Sequence, residues 1–194
     1  MEKKRISPFY WKKWLAITLE RTHPARSEGG SLVLLGIGNP LNGDDAVGPE
    51  FVRTLTQALR QAGVEEEVIS GDASSFFHHR LILIAANQSP ENFTGLLRRI
   101  SPQTVILVDA AWMNRKPGTI CGMRWHEMTG FSASTHLQPP SVLAQFLMRE
   151  LDCEVLMLGI QPQQLNFADP LSPLVRRALN RLADEWLVLL QRRK

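Results

Sequence analysis

The chain has 194 residues, 44% of them hydrophobic and 21% charged, with two cysteines. That is enough for one domain with a core of its own, so neither disulfides nor a structural metal is needed to hold it together. Cys121 and Cys153 lie far apart and outside any CxxC or Cys/His pattern, and read as reduced core thiols of a cytoplasmic protein. The formal charge of +3 suggests a polyanion partner, but residues 1–30 hold seven Lys/Arg and three Glu, which leaves residues 31–194 at net −1 and excludes a built-in nucleic-acid balance.

Residues 1–30 are read as a basic aromatic extension and linker ahead of a domain spanning 31–194. Phe9, Tyr10, Trp11, Trp14 and Leu15 interleave with Lys12 and Lys13, and the Pro, Ser and Gly of residues 23–30 suit a connector. The extension is expected to be variable, with weak peripheral contact at a membrane surface or a partner through residues 1–30 as its alternative use. Its apolar stretch is too short and interrupted for a membrane span or a secretory core, so no transmembrane segment is expected.

Residues 32–35 predict a buried strand running into Gly36, Gly38, Asn39 and Pro40. A helix follows from Val47, with Pro49 in its first turn, Phe51, Val52, Leu55 and Leu59 on one stripe, and Gly63 as its stop. Residues 68–69 form a short strand and 81–84 a clearer one, which reaches Ala85 and Ala86. Ser89 and Pro90 open a second helix with Phe93, Leu96, Leu97 and Ile100 inward. Residues 104–108 make the next buried strand, with Asp109 at its carboxyl end, and 119–123 an outer one. A polar loop over 126–135 leads through His136 to a helix bearing Val142, Leu143, Phe146 and Leu147. After a strand at 154–158, Ser172 and Pro173 start a last helix in which Leu174, Ala178, Leu182 and Trp186 recur at intervals of four. This alternation predicts an α/β three-layer sandwich, a twisted, mostly parallel sheet flanked by helices on both faces, with ligands beyond the carboxyl ends of the strands.

GIGNPL, between a strand and a helix, first suggests a dinucleotide loop. The fingerprint fails: Leu41 stands where a third glycine is required, the next strand ends in Ala85-Ala86 rather than an acid, and no GKS or GKT occurs. The loop carries Asp44 and Asp45 instead. One such acid is accounted for by capping the following helix, and a neighbouring one can face a site. Asp109 reaches the same sheet edge from a central strand, and His136 from a loop-to-helix transition. An Asp/Asp/His set offers oxygen and nitrogen ligands suited to nickel or zinc with positions left open, and does not by itself select the metal. Singly, each member has an ordinary structural use as well.

Four ordered segments carry a resemblance. GIGNPLNGDDAVGPE, SPENFTGLLRRISPQTVILVDAA, STHLQPPSVLAQFL and VLMLGIQPQQLNFADPLSP resemble, over residues 32–186, the nickel-iron hydrogenase maturation endopeptidases, especially the branch that processes the formate-hydrogenlyase hydrogenase large subunit. The resemblance implies a protease that removes a carboxy-terminal extension from the hydrogenase large-subunit precursor, with nickel as a checkpoint supplied in that precursor rather than as a permanent cofactor. It maps Asp45, Asp109 and His136 to the metal-recognition positions, catalytic in that broad sense, and leaves Asp44 out. Neither HExxH nor GxSxG occurs, so ordinary zinc or serine hydrolase chemistry is not implied. The chain departs from the family pattern where an Asp-Gly-Gly turn is replaced by Ala85-Ala86-Asn87, where Ala46 follows the acid pair, and in a longer stretch over 59–79 that holds Asp72 and His78-His79. The first departure leaves room for a nonproteolytic maturation or scaffolding protein on the same fold.

Overall fold

The apolar runs become strands because only a sheet covered on both faces can bury them whole. The computed structural model describes residues 11–22, 30–77, 80–124, 132–133 and 140–191. Its strands are β1 (Leu32–Ile37), β2 (Glu66–Ser70), β3 (Ala73–Phe76), β4 (Leu81–Asn87), β5 (Thr104–Trp112), β6 (Ile120–Arg124), β7 (Ser132–Ala133) and β8 (Glu154–Ile160). Its helices are α1 (Trp11–Thr22), α2 (Val47–Gln61), α3 (Thr94–Ile100), α4 (Pro140–Leu151) and α5 (Pro173–Gln191). The strand order is β2-β3-β4-β1-β5-β8-β6, with β7 pairing β5 off that path. The central strands β4, β1, β5 and β8 are parallel, while β3 beside β4 and β6 beside β8 run antiparallel.

Alternation along each strand divides the interior in two. Leu32, Leu34, Ile106, Val108, Leu156 and Leu158 face the layer that holds α1, α2 and α5. Val33, Leu35, Val105, Leu107, Val155 and Met157 face Leu97 of α3 and Ala144 and Leu147 of α4. The three-layer expectation is met. Two helical faces differ in phase from the one expected. On α5, Val175, Ala178, Leu179, Leu182 and Trp186 are buried and Leu174 is exposed; on α4, Val142 and Phe146 are exposed beside buried Ala144 and Leu147. Phe51 and Trp186 join α2 to α5 edge to face, 6.3 Å between centroids at 60°.

The amino-terminal segment corrects the domain boundary drawn from composition. α1 is not a loose appendage: Trp11, Leu15 and Leu19, spaced four apart, are buried in the same core as α2 and α5. Trp14 lies over Gly122 of β6, where a β-carbon would meet the indole at 3.1 Å. Lys12 pairs with Glu185, and Arg21 with Glu154 at 3.3 Å. The apolar side chains that a membrane-surface helix would present are thus already buried, which removes Trp11, Leu15 and Leu19 from peripheral contact. Among the described residues, no helix is long and apolar enough to cross a membrane.

The longer stretch before β4 is an antiparallel hairpin, β2 and β3, added at the sheet edge. Its base is tied by Glu66, which accepts from Arg60 and from Ser74 Oγ; the guanidinium holds the carboxyl below its ordinary value. Asp72 lies exposed in the hairpin turn. His78 and His79 fall outside the described residues.

Candidate active site

The site begins with close backbone packing. At Gly38 (φ +143°) a β-carbon would overlap the carbonyl oxygen of Asp45, and at Gly48 it would overlap those of Ile37 and Val108. Only glycine lets the loop fold back on itself and lets the first turn of α2 press on the ends of β1 and β5. The register sets Gly36 beside Val108, so the position after Val108, which is Asp109, stands at the edge where β1 gives way to this loop.

Within the loop, Asn39 organises both directions. Its backbone N–H donates to Asp45 Oδ2 at 3.0 Å, while its side-chain Oδ1 accepts the N–H of Leu41 at 2.9 Å. The N–H of Asp45 in turn donates to the carbonyl of Asn42 at 3.0 Å. Asp45 lies in the 3-10 turn Gly43–Ala46 that leads into α2, is fully buried, and sits near a helix amino terminus, where backbone dipoles favour negative charge.

Asp109 is equally buried. It lies opposite Gly159 of β8, and by alternation it shares a face with Leu107 and Ala111, on the α3 and α4 side. It is not the last residue of its strand, because β5 continues to Trp112 by pairing with β7. The 3-10 turn that holds Asp45 packs against β5, the strand that holds Asp109, at the carboxyl edge of the sheet. His136 lies outside the described residues. Among the described residues, no group of three His, Cys, Asp or Glu is arranged to hold a metal ion. The two carboxylates supply oxygen donors of the kind borderline divalent cations accept alongside imidazole.

Asp44 turns the other way. Its Oδ2 accepts from the N–H groups of Gln163 (2.7 Å) and Gln164 (3.2 Å) and from Ser172 Oγ (2.9 Å), and its Oδ1 accepts the N–H of Ser172 at 2.6 Å. Its own N–H donates to the Gln164 carbonyl at 3.1 Å. Rather than capping α2, it clamps the loop between β8 and α5 onto the acid loop. Sequence reasoning separated Asp44 from the metal position but did not find this partner.

Gln161 was missed as well. Buried just past β8, its Oε1 accepts from Met113 N (2.7 Å) and Arg115 N (3.2 Å), which holds the chain leaving β5. A glutamine directly after an apolar strand was the available signal. At the altered turn, Ala85 and Ala86 are buried without a carboxylate, and Asn87 adopts φ +52°, a conformation asparagine tolerates better than most residues. Its carbonyl accepts the N–H of Gly38 at 2.9 Å, so the turn still supports the site loop.

The hydrogenase maturation protease family HycI matches residues 73–188. A Methanocaldococcus jannaschii protein carrying a provisional hydrogenase maturation protease name is 33% identical over 163 residues, covering 84% of this chain and 90% of that one. The hydrogenase 3 maturation protease of Escherichia coli K12 is 27% identical over 148 residues, 76% of this chain and 83% of its own. In fold, the chain is similar to the crystal structure of the nickel-iron hydrogenase maturation protease HycI from Thermococcus kodakarensis, with a TM-score of 0.70 at 21% identity over 92% of this chain and 99% of that one.

Proposed function

The chain belongs to the hydrogenase maturation protease family, and we propose that it removes a carboxy-terminal extension from the large-subunit precursor of a nickel-iron hydrogenase once nickel has been placed in that precursor. The observation that carries this reading is the convergence of buried Asp45 and Asp109 at one strand edge, from a loop and a strand far apart in sequence. In the reading, His136 completes the set. Its position in the chain falls between β7, which pairs with Ala111 and Trp112 just past Asp109, and α4, which packs on the face of the sheet that Asp109 shares. The names of the relatives support the precursor as substrate, and a cytoplasmic location goes with that role.

In this scheme nickel is part of the substrate. Asp45 and Asp109 read it out, which aligns the adjoining peptide bond, and a metal so held polarises a carbonyl and favours attack by water. A second reading, a nonproteolytic maturation or scaffolding protein, is favoured by one observation: the turn at Ala85-Ala86-Asn87 carries no acid.

The test is incubation of the pure protein with nickel-loaded and nickel-free precursor, followed by intact mass measurement. Cleavage of the loaded form alone is expected, with Asp45→Asn, Asp109→Asn or His136→Ala lowering the rate by about 100-fold or more. Binding without cutting would establish the scaffold reading. Equal cutting of both forms would remove nickel from the scheme.

A further inference from the structure

β8 ends at Ile160, opposite Ala110, while β5 runs on to Trp112. Beyond that point one side chain stands in for the missing strand. The backbone of Gln161 still faces the β6 side: its N–H donates to the Thr119 carbonyl and its carbonyl accepts the N–H of Gly118, each at 2.9 Å. The next residue due to face β5 is Pro162, which has no N–H to donate. The Gln161 side chain takes that place instead. Its Oε1 accepts from Met113 N at 2.7 Å and Arg115 N at 3.2 Å, and its Nε2 donates to the Pro162 carbonyl at 3.2 Å. A carboxamide presents the same kinds of acceptor and donor as a peptide unit, so the side chain extends the ladder past the proline.

Gln161 is 3% exposed, and five hydrogen bonds hold it, three of them through the side chain. A buried amide paired in this way keeps one orientation, because any other strands a donor or an acceptor. What it fixes adjoins the site. Along β5, Asp109 is opposite Gly159, Ala110 is opposite Ile160, Ala111 and Trp112 pair with Ala133 and Ser132 of β7, and Met113 is bound to Gln161. Without that last bond, the part of β5 past Ala110 would be held by β7, a strand of two residues. β7 ends at Ala133, three positions before His136.

We propose that Gln161 is a positioning residue for peptide cleavage. By fixing Met113 and Arg115 it keeps β5 extended past Asp109 as the seat for β7, and so sets the spacing between Asp109 and the segment that carries His136. The inference rests on the reading of the chain as a protease of the large-subunit precursor with those two residues in its site. Gln161 acts through the backbone it holds, and a site displaced by about 1 Å can lose on the order of 100-fold in rate.

The test uses the full chain and nickel-loaded, full-length precursor. Gln161→Met removes the acceptor, Gln161→Asn draws it back by one methylene, and Gln161→Glu keeps an oxygen in the Oε1 position. Leu15→Ala, a change in the core under α1, measures what lost stability alone does to the rate. All are assayed at a temperature where circular dichroism shows them folded; should Gln161→Met not fold, Gln161→Asn carries the comparison. Gln161→Met and Gln161→Asn should lower kcat by about tenfold or more with KM within about twofold, while Gln161→Glu stays within about threefold of wild type and Leu15→Ala within about twofold. In the two slow variants, amide hydrogen exchange over residues 111–115 should quicken. Wild-type kcat in both would overturn the positioning role and leave the protease reading standing. So would unchanged exchange over 111–115, an equal loss in Leu15→Ala, or a Gln161→Glu as slow as Gln161→Met. Wild type that leaves the loaded precursor intact would sink both.

Discussion

Replacing Asp44 by Asn changes a single atom type at the most heavily bonded carboxylate described in the site. Four donors converge on its two oxygens, three on Oδ2 and the N–H of Ser172 on Oδ1. If the amide oxygen takes the Oδ2 position, the amide nitrogen faces the Ser172 N–H, donor against donor. One charge-assisted bond is then lost, about 2 kcal/mol, and the three that remain have a neutral acceptor in place of a charged one and weaken by about half. The opposite amide orientation strands the backbone N–H groups of Gln163 and Gln164, while the Ser172 hydroxyl can turn to accept, and is worse. The total is about 5 kcal/mol, which for a chain of this size lowers Tm by roughly 10–20 °C. Thermal and urea unfolding followed by circular dichroism measure it. Ser172→Ala, which removes only the hydroxyl donor, should cost about 1 kcal/mol, and Asp169→Asn on the exposed loop roughly 0.5 kcal/mol or less. A Tm fall below about 3 °C for Asp44→Asn, or a larger loss for Ser172→Ala, would show that the clamp does not carry the loop.

Other outcomes follow from the packing. Leu15→Ala should destabilise the protein by about 2–5 kcal/mol in urea titration, as expected for a fully buried leucine; a negligible change would return α1 to the status of an appendage. Gly48→Ala forces a β-carbon against the Ile37 and Val108 carbonyls, so it should both lower Tm and abolish precursor cleavage, and an active, stable variant would contradict the packing of α2 on the strand ends. Cys121 and Cys153 are free and buried, and burial pushes both thiols up, Cys153 from 9.0 to about 11. The folded state therefore retains a proton that the unfolded chain has lost between about pH 9 and 11, so stability falls as pH rises through that window. Native protein at pH 9 should resist alkylation by iodoacetamide at both thiols in mass spectra, and rapid labelling of Cys153 without urea would rule out this environment.

The parts of the fold that sequence revealed are those where composition and burial coincide. Residues 32–35, 81–84, 105–108 and 155–158 are continuous apolar runs because helices cover both faces of their sheet, so no partner needs to be known. β3 escaped notice because its Ser74 and Ser75 break any apolar run, and it is held as a strand by pairing with β2 and β4. α1 was obscured by its own charges: Lys12, Lys13 and Arg21 dominate the composition, while Trp11, Leu15 and Leu19 form one narrow buried stripe. The extension of β5 past Asp109 depends on β7, a pairing that no local pattern announces. In the site, the adjacent acids were legible as a pair, and the direction of each was not. Asp44 finds its donors 119 to 128 positions away, a relation that exists only once the chain is folded.

The edge-to-face contact of Phe51 with Trp186 has a consequence for the order of assembly on the ribosome. α2 is made well before α5, and although the sheet covers much of its apolar face, Phe51 lacks its partner Trp186 until α5 has emerged. Such a chain cannot complete its core from the amino terminus onward; Phe51 waits for Trp186, its side of α2 open to chaperones or to aggregation. A ribosome that stops short of Gln163 would release a sheet whose acid loop is already written but not yet fastened.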